Sequence, residues 1–197
     1  MISILLYTLY LITYYLYSVL YYLFYYTILK KYIFFVTAVV LFALNLPLVR
    51  VLSISNRKNF SERIYSKAAA EQGFVISYTH SVNKGRVHDY YKIEKNGNLT
   101  VEKTVFVSYG AGIPENYETD GAVFRVTADG YEISHLNRTI PSLVMAVGVI
   151  AEHSIFIGSD FKSENERFLK DFFKVQTSLV FEIKRVSLLN YALSRRI

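Results

Sequence analysis

The chain has 197 residues, 52% of them apolar, a formal net charge of +6 and no cysteine. Without cysteine there is no disulfide and no thiolate nucleophile or metal ligand, and the lack is compatible with either side of a membrane. Three of the cations, Lys30, Lys31 and Arg50, flank apolar runs where lipid headgroups are a sufficient explanation, so the charge argues for no nucleic-acid partner.

Residues 1–29 form an unbroken apolar run that carries half of the 18 tyrosines. A helix rises about 1.5 Å per residue and a bilayer core is roughly 30 Å thick, so this run is long enough to span. Its tyrosines are spread through its length instead of gathering at the two interfaces, where ring and hydroxyl each find their solvent. The run is therefore either an extra span needing helical neighbours or the product of a misplaced start site. Residues 30–50 read better: Lys30-Lys31 followed by Tyr32-Ile33-Phe34-Phe35-Val36 has the basic and apolar regions of an export signal. Pro47 and Arg50 close it with no small-residue cleavage site, which points to an uncleaved signal anchor or transmembrane helix. The cations beyond it, among them Arg57, Lys58 and Arg63, would by themselves favour a cytoplasmic domain.

Residues 51–72 are expected as a linker with a short helix, and residues 73–197 as one β-rich domain long enough to bury a core. Phe74, Ile76 and Tyr78 alternate with Val75, Ser77 and Thr79, and Val87, Asp89 and Tyr91 with His88 and Tyr90. Leu99, Val101, Val105 and Val107 share another face. Asn96-Gly97 and Asp129-Gly130 sit between alternating segments and predict two type I′ hairpin turns. Residues 143–149 and 154–157 read as a more continuously apolar strand pair, and residues 178–186 as another alternating strand. Residues 61–72 and 163–173 are the helix candidates. The fold class is mainly β: a compact antiparallel β sandwich or barrel with short helices behind an N-terminal transmembrane anchor.

Two segments stand out from this scaffold. One is Phe74-Val75-Ile76-Ser77-Tyr78-Thr79-His80-Ser81-Val82, followed by Val87-His88-Asp89-Tyr90-Tyr91; the other is Val107-Ser108-Tyr109-Gly110-Ala111-Gly112-Ile113-Pro114. A strand ending in His-Ser-Val, a short loop, a Val-x-acidic-x-aromatic strand, a hairpin and a Gly-Ala-Gly-aliphatic-Pro turn resembles DUF1850, a bacterial family of unknown function. The resemblance runs from about Gly73 to Arg185. It implies a small protein with one N-terminal hydrophobic anchor and an extracytoplasmic domain at the cell membrane. It also implies a gene neighbourhood of tripartite (TRAP) transporters of the TAXI type, and no reaction.

The same residues supply the ligand-binding candidates. If β pairing brings Asp89 beside His80, the carboxylate would orient the imidazole and raise its basicity. Such a group could equally be a buried His-Asp-Ser cluster that only fixes the hairpin. The Gly110-Ala111-Gly112 backbone could present successive N–H groups to a small carboxylate, or simply turn the chain out of a sheet. His80, Ser81, Asp89, Ser108, Gly110, Ala111 and Gly112 could then line one polar pocket.

Chemistry beyond binding has little to stand on. His88, His135 and His153 add imidazoles but no His-Glu-x-x-His pattern, and Ser81 lacks the Gly-x-Ser-x-Gly elbow of a hydrolase. No catalytic residue, metal ligand set or cofactor is expected. The expectation is a noncatalytic accessory or ligand-binding component, with the membrane, TAXI-type TRAP transporter subunits and a small carboxylate as partners. A metal- or His-dependent hydrolase and a purely structural scaffold are the alternatives.

Overall fold

The computed structural model describes residues 2–82, 84–107, 121–128, 130–159 and 165–197. The chain divides into two compact units, Met1–Leu46 and Pro47–Ile197.

The first unit is a single helix, α1, Ile2–Asn45. Lys30-Lys31, expected to separate two runs, lies inside it without interrupting it. Lysine is a good helix former, and no glycine or proline occurs before Pro47. Pro47 disfavours helical geometry at Leu46 and ends the helix there. Its polar groups are absorbed locally: Thr13, Ser18 and Thr27 hydroxyls donate to carbonyls three or four residues back, and the Lys30 ammonium lies 4.3 Å from the Tyr26 ring centre. The stretch Leu6–Asn45 is long and apolar enough to cross a membrane. At about 1.5 Å per residue the 44-residue helix is roughly twice as long as one bilayer core is thick.

The second unit is a sandwich of two sheets. The first sheet contains β1 (Val49–Asn56), β2 (Arg63–Ser66), β8 (Leu143–Ala146), β11 (Ser178–Val186) and β12 (Arg195–Arg196), in the order β12-β2-β1-β11-β8. The second contains β3 (Phe74–Thr79), β4 (Arg86–Ile93), β5 (Leu99–Phe106), β6 (Val123–Thr127), β7 (Gly130–Ile140), β9 (Ser154–Ile157) and β10 (Arg167–Phe168), in the order β10-β9-β3-β4-β5-β7-β6. The described pairings are antiparallel except that of β12 with β2. The core lies between the sheets, where Leu52, Ile54, Leu179 and Phe181 meet Phe74, Ile76, Tyr91 and Ile155. The Phe74 ring stacks on Tyr91 at 4.9 Å and on Phe181 at 6.2 Å between centroids. The mainly β expectation is thus met, and as a sandwich.

Several local expectations change. Residues 51–72 are not a linker: β1 sits between β2 and β11, with Val51, Leu52 and Ile54 fully buried. Only α2, Lys67–Gln72, is helical within residues 61–72, capped by the Ser66 hydroxyl, which accepts from the Ala69 N–H. The described part of residues 163–173 holds β10 and a short 3-10 turn, Leu169–Asp171, in place of a helix. β8 and β9 do not pair with each other; β8 joins β11 and β9 joins β3, so the segment between them crosses from sheet to sheet.

Both hairpins form, with turns other than those expected. After β4, the Gly97 N–H donates to the Glu94 carbonyl and the Glu94 N–H to Asn98, and Gly97 alone takes positive φ, at 92°. That is the three-residue loop with glycine at the bulge, not a type I′ pair. In the second, Thr127 pairs directly with Gly130, so the turn comes one residue before Asp-Gly. Asp129 itself falls outside the described residues.

Candidate functional site

β3 and β4 pair antiparallel, but four residues out of the register that would set residues 78–82 against 87–91 and His80 opposite Asp89: Tyr78 lies opposite Val87, Ile76 opposite Asp89 and Phe74 opposite Tyr91. Because side chains alternate, Asp89 shares the inner face with these apolar partners. His80 lies beyond the end of β3, four residues and about 13 Å along the chain from the position opposite Asp89. The structure therefore does not join Asp89 to His80. Asp89 accepts the Thr104 hydroxyl at 2.7 Å instead. Burial raises its carboxyl above the usual range, against the opposing effect of the Thr104 hydrogen bond. Tyr78 and Tyr91 are pushed up as well, by burial first and by the Asp89 charge second.

His80 and Ser81 stay together in the tight β3–β4 connection. The His80 N–H donates to the Gly85 carbonyl at 2.9 Å, the Lys84 N–H to the His80 carbonyl at 3.1 Å, and the His80 Nδ1 accepts from the Val82 N–H at 3.3 Å. The imidazole is half-buried and Ser81 is exposed. Ser108, Gly110, Ala111 and Gly112, the remaining candidates, fall outside the described residues.

The imidazole that acquires side-chain partners is a different one. His88, on the outer face, lies 2.6 Å from the Ser77 hydroxyl, and Ser77 is directly opposite Ser154 on β9. The Ser154 hydroxyl donates to the Glu166 carboxylate at 2.6 Å. Arg86, the first residue of β4, donates to Ser154 at 3.0 Å and to Glu166 at 2.7 Å, and reaches the Glu152 carbonyl at 3.2 Å. A polar strip thus crosses β9, β3 and β4 beside the His80 loop. Its ion pair is mostly shielded, with 29% and 20% of the Arg86 and Glu166 side chains exposed, so it is stronger than a solvated surface pair. Burial, and then the Arg86 charge, lower the His88 pKa to about 4. His88 is consequently neutral at physiological pH.

Chemically the strip offers a guanidinium, a carboxylate and a neutral imidazole at one end of the sandwich. Its two hydroxyls, Ser77 and Ser154, are both fully buried, so neither is exposed to a substrate. Among the described residues no three His, Asp or Glu side chains converge as a metal site would require. His135 sits at positive φ, 59°, where the β5–β7 register shifts, and His153 accepts the Gly148 N–H and lies against Tyr78.

The segment from β3 through β9, which supplies all of this strip except Glu166, is also the part that matches a known family. Residues 74–161 match DUF1850, a domain of unknown function. The DUF1850 match covers six of the seven strands of the second sheet together with β8, and it ends earlier than the Arg185 limit suggested by the sequence. β1, β2, β11 and α1 lie outside it. Comparison with curated proteins and with solved structures finds no match.

Sequence reasoning missed Arg86, Glu166, Ser154 and Ser77. Ser77 and His88 were visible as outward positions of alternating strands. Glu166 was not, because nothing local links it to Arg86, 80 residues earlier.

Proposed function

We propose that this chain is a membrane-anchored, noncatalytic accessory or ligand-binding protein whose β sandwich faces outward and works beside a TAXI-type TRAP transporter. The observation that carries the reading is the joining of two unlike parts. A 44-residue apolar helix, long enough to cross a bilayer, is followed after three residues by a separately packed sandwich with its own core. The transporter is proposed as partner on the strength of the resemblance of the DUF1850 segment, which implies a gene neighbourhood of such transporters.

The proposed ligand is a small carboxylate taken at the β3–β4 end by His80, Ser81 and the backbone from Gly110 to Gly112. Arg86 follows the same loop, but its guanidinium is already committed to Glu166, Ser154 and the Glu152 carbonyl, so the proposed partners of the ligand are the loop's own donors. Asp89 is left out of this ligand set because it sits on the other face of the sheet. The test is a pull-down of the full-length protein from its native membrane in mild detergent, with mass spectrometry of partners and of its own N-terminus. Recovery of transporter subunits supports the accessory role; recovery of none, together with no heat on titration with small carboxylates, overturns it.

A further inference from the structure

The end of the sandwich at which β1 begins carries a cleft lined largely by cations. Arg50, Lys95, Lys184 and Arg185 line this cleft of about 170 Å³, whose other lining residues, Asn96, Gly97 and Ile183, bring no acid. The cations come from three separate parts of the sequence: the start of β1, the end of β11, and the β4–β5 hairpin. Arg50 and Arg185 are direct cross-strand partners. Like charges directly opposite each other in an antiparallel pair are destabilising, so their retention calls for an anion between or above them. Arg50 donates to the Glu94 carbonyl at 2.6 Å, while the Glu94 carboxylate is turned to the Thr100 hydroxyl. Lys184 is matched by Glu182 at 2.6 Å; among the described residues no ion pair engages Lys95 or Arg185.

Exposed apolar residues follow these cations closely in sequence. Leu188 and Leu189, in the first turn of α3 (Leu188–Leu193), follow Arg185 by three and four residues and are 49% and 39% exposed. A border of cations and exposed leucines suits the lipid–water interface, where phosphates meet acyl chains.

We propose that this end of the sandwich docks on anionic phospholipid headgroups, with a headgroup phosphate in the Arg50/Lys95/Arg185 cleft and Leu188 and Leu189 in the interface. The inference rests on the reading of α1 as a membrane anchor. Only Leu46, Pro47 and Leu48 separate α1 from β1, and three residues reach about 10 Å at full extension. With the anchor taken as residues 30–50, the C-terminal part of α1 and the link after it, Arg50 lies at the end of the span and within reach of the bilayer surface. Docking would fix the sandwich against the membrane and set which of its faces a partner meets.

The test uses the full chain in lipid nanodiscs. Since the protein has no cysteine, Asn98→Cys, beside the hairpin tip but outside the cleft lining, gives a single site for a fluorophore. The readout is quenching by a headgroup-labelled lipid, in phosphatidylcholine alone and with phosphatidylglycerol at about one part in four. Quenching should be several-fold greater with phosphatidylglycerol, fall with added salt as screening demands, and return to the phosphatidylcholine level in Lys95→Gln/Arg185→Gln. The salt arm needs no further variant, so it stands even if the double variant folds poorly. Equal quenching in the two lipids overturns the proposal while leaving the anchor intact. Abolition of the contact by millimolar inorganic phosphate makes free phosphate the ligand and overturns lipid docking. Failure of the chain to enter nanodiscs at all overturns the anchor and the docking together.

Discussion

His88 and Asp89 are consecutive residues of β4 that point to opposite faces of the seven-stranded sheet, one hydrogen-bonded to Ser77 and the other to Thr104. Their acid–base equilibria are displaced in opposite senses for the same reason. Burial disfavours the charged form of each, which lowers a base and raises an acid. The two residues therefore tie stability to pH in opposite directions.

For Asp89, the folded carboxyl titrates above its ordinary value of 3.8. The stability it contributes is fully present below that value and is lost as pH rises through the raised pKa, because the folded state then holds the proton more tightly than the unfolded chain. Asp89→Asn keeps an acceptor for Thr104 and has no charge to desolvate. It should remove the decline on the alkaline side and match or exceed the wild type in melting temperature at neutral pH. Thermal melts of both proteins across pH 4 to about 8 check this; a steep loss of stability at neutral pH in the variant would contradict it.

For His88 the sign reverses. Its folded pKa of about 4 lies below the ordinary 6.5, so its contribution is complete above pH 6.5 and is lost as pH falls toward 4. Part of the depression comes from Arg86, so Arg86→Gln should move the His88 pKa upward, followed by NMR titration of the imidazole. No movement would mean that burial alone sets it.

The Arg86–Glu166 pair also tests how far the strip contributes to the fold. Arg86→Ala leaves Glu166 with the Ser154 hydroxyl alone and should cost about 1–3 kcal/mol in denaturant unfolding. A double-mutant cycle with Glu166→Gln should show coupling of about 1 kcal/mol, above that of an exposed pair. Coupling near zero would make the pair incidental.

How much of this was legible follows from how local each signal is. The alternation in residues 74–79 and 86–93 and the glycines at 97 and 130 specify strands and turns within a few residues, and those elements are where the sequence places them. β1 was hidden because Val49 to Asn56 follows directly on an apolar anchor, and the Leu52-Ser53-Ile54-Ser55 alternation is short and adjoins the apolar Val51. The His80–Asp89 association failed on register: the strands pair antiparallel, but four residues away from the inferred alignment, so Asp89 lands opposite Ile76, on the core face and away from the loop. The Arg86–Glu166–Ser154 network depends on β9 and β10 closing beside β3, a long-range pairing that no short motif encodes.

The loop placement of His80 separates a ligand role from a structural one. Among the described residues its ring accepts one backbone N–H, from its own turn, so His80→Ala should lower the stability by no more than about 0.5 kcal/mol. Gly73→Ala makes the contrasting case. Gly73 caps α2 at φ +80°, and a Cβ there would lie 2.5 Å from the Tyr91 carbonyl oxygen, backbone that cannot swing away. That substitution should destabilise by about 2 kcal/mol or more through strain at the cap and displacement of β4. Urea unfolding of the two variants, with carboxylate titration of each at a temperature where both are folded, separates the effects. A His80→Ala protein that is stable yet has lost ligand heat places His80 in binding. One that unfolds as readily as Gly73→Ala shows instead that the imidazole holds the β3–β4 turn together.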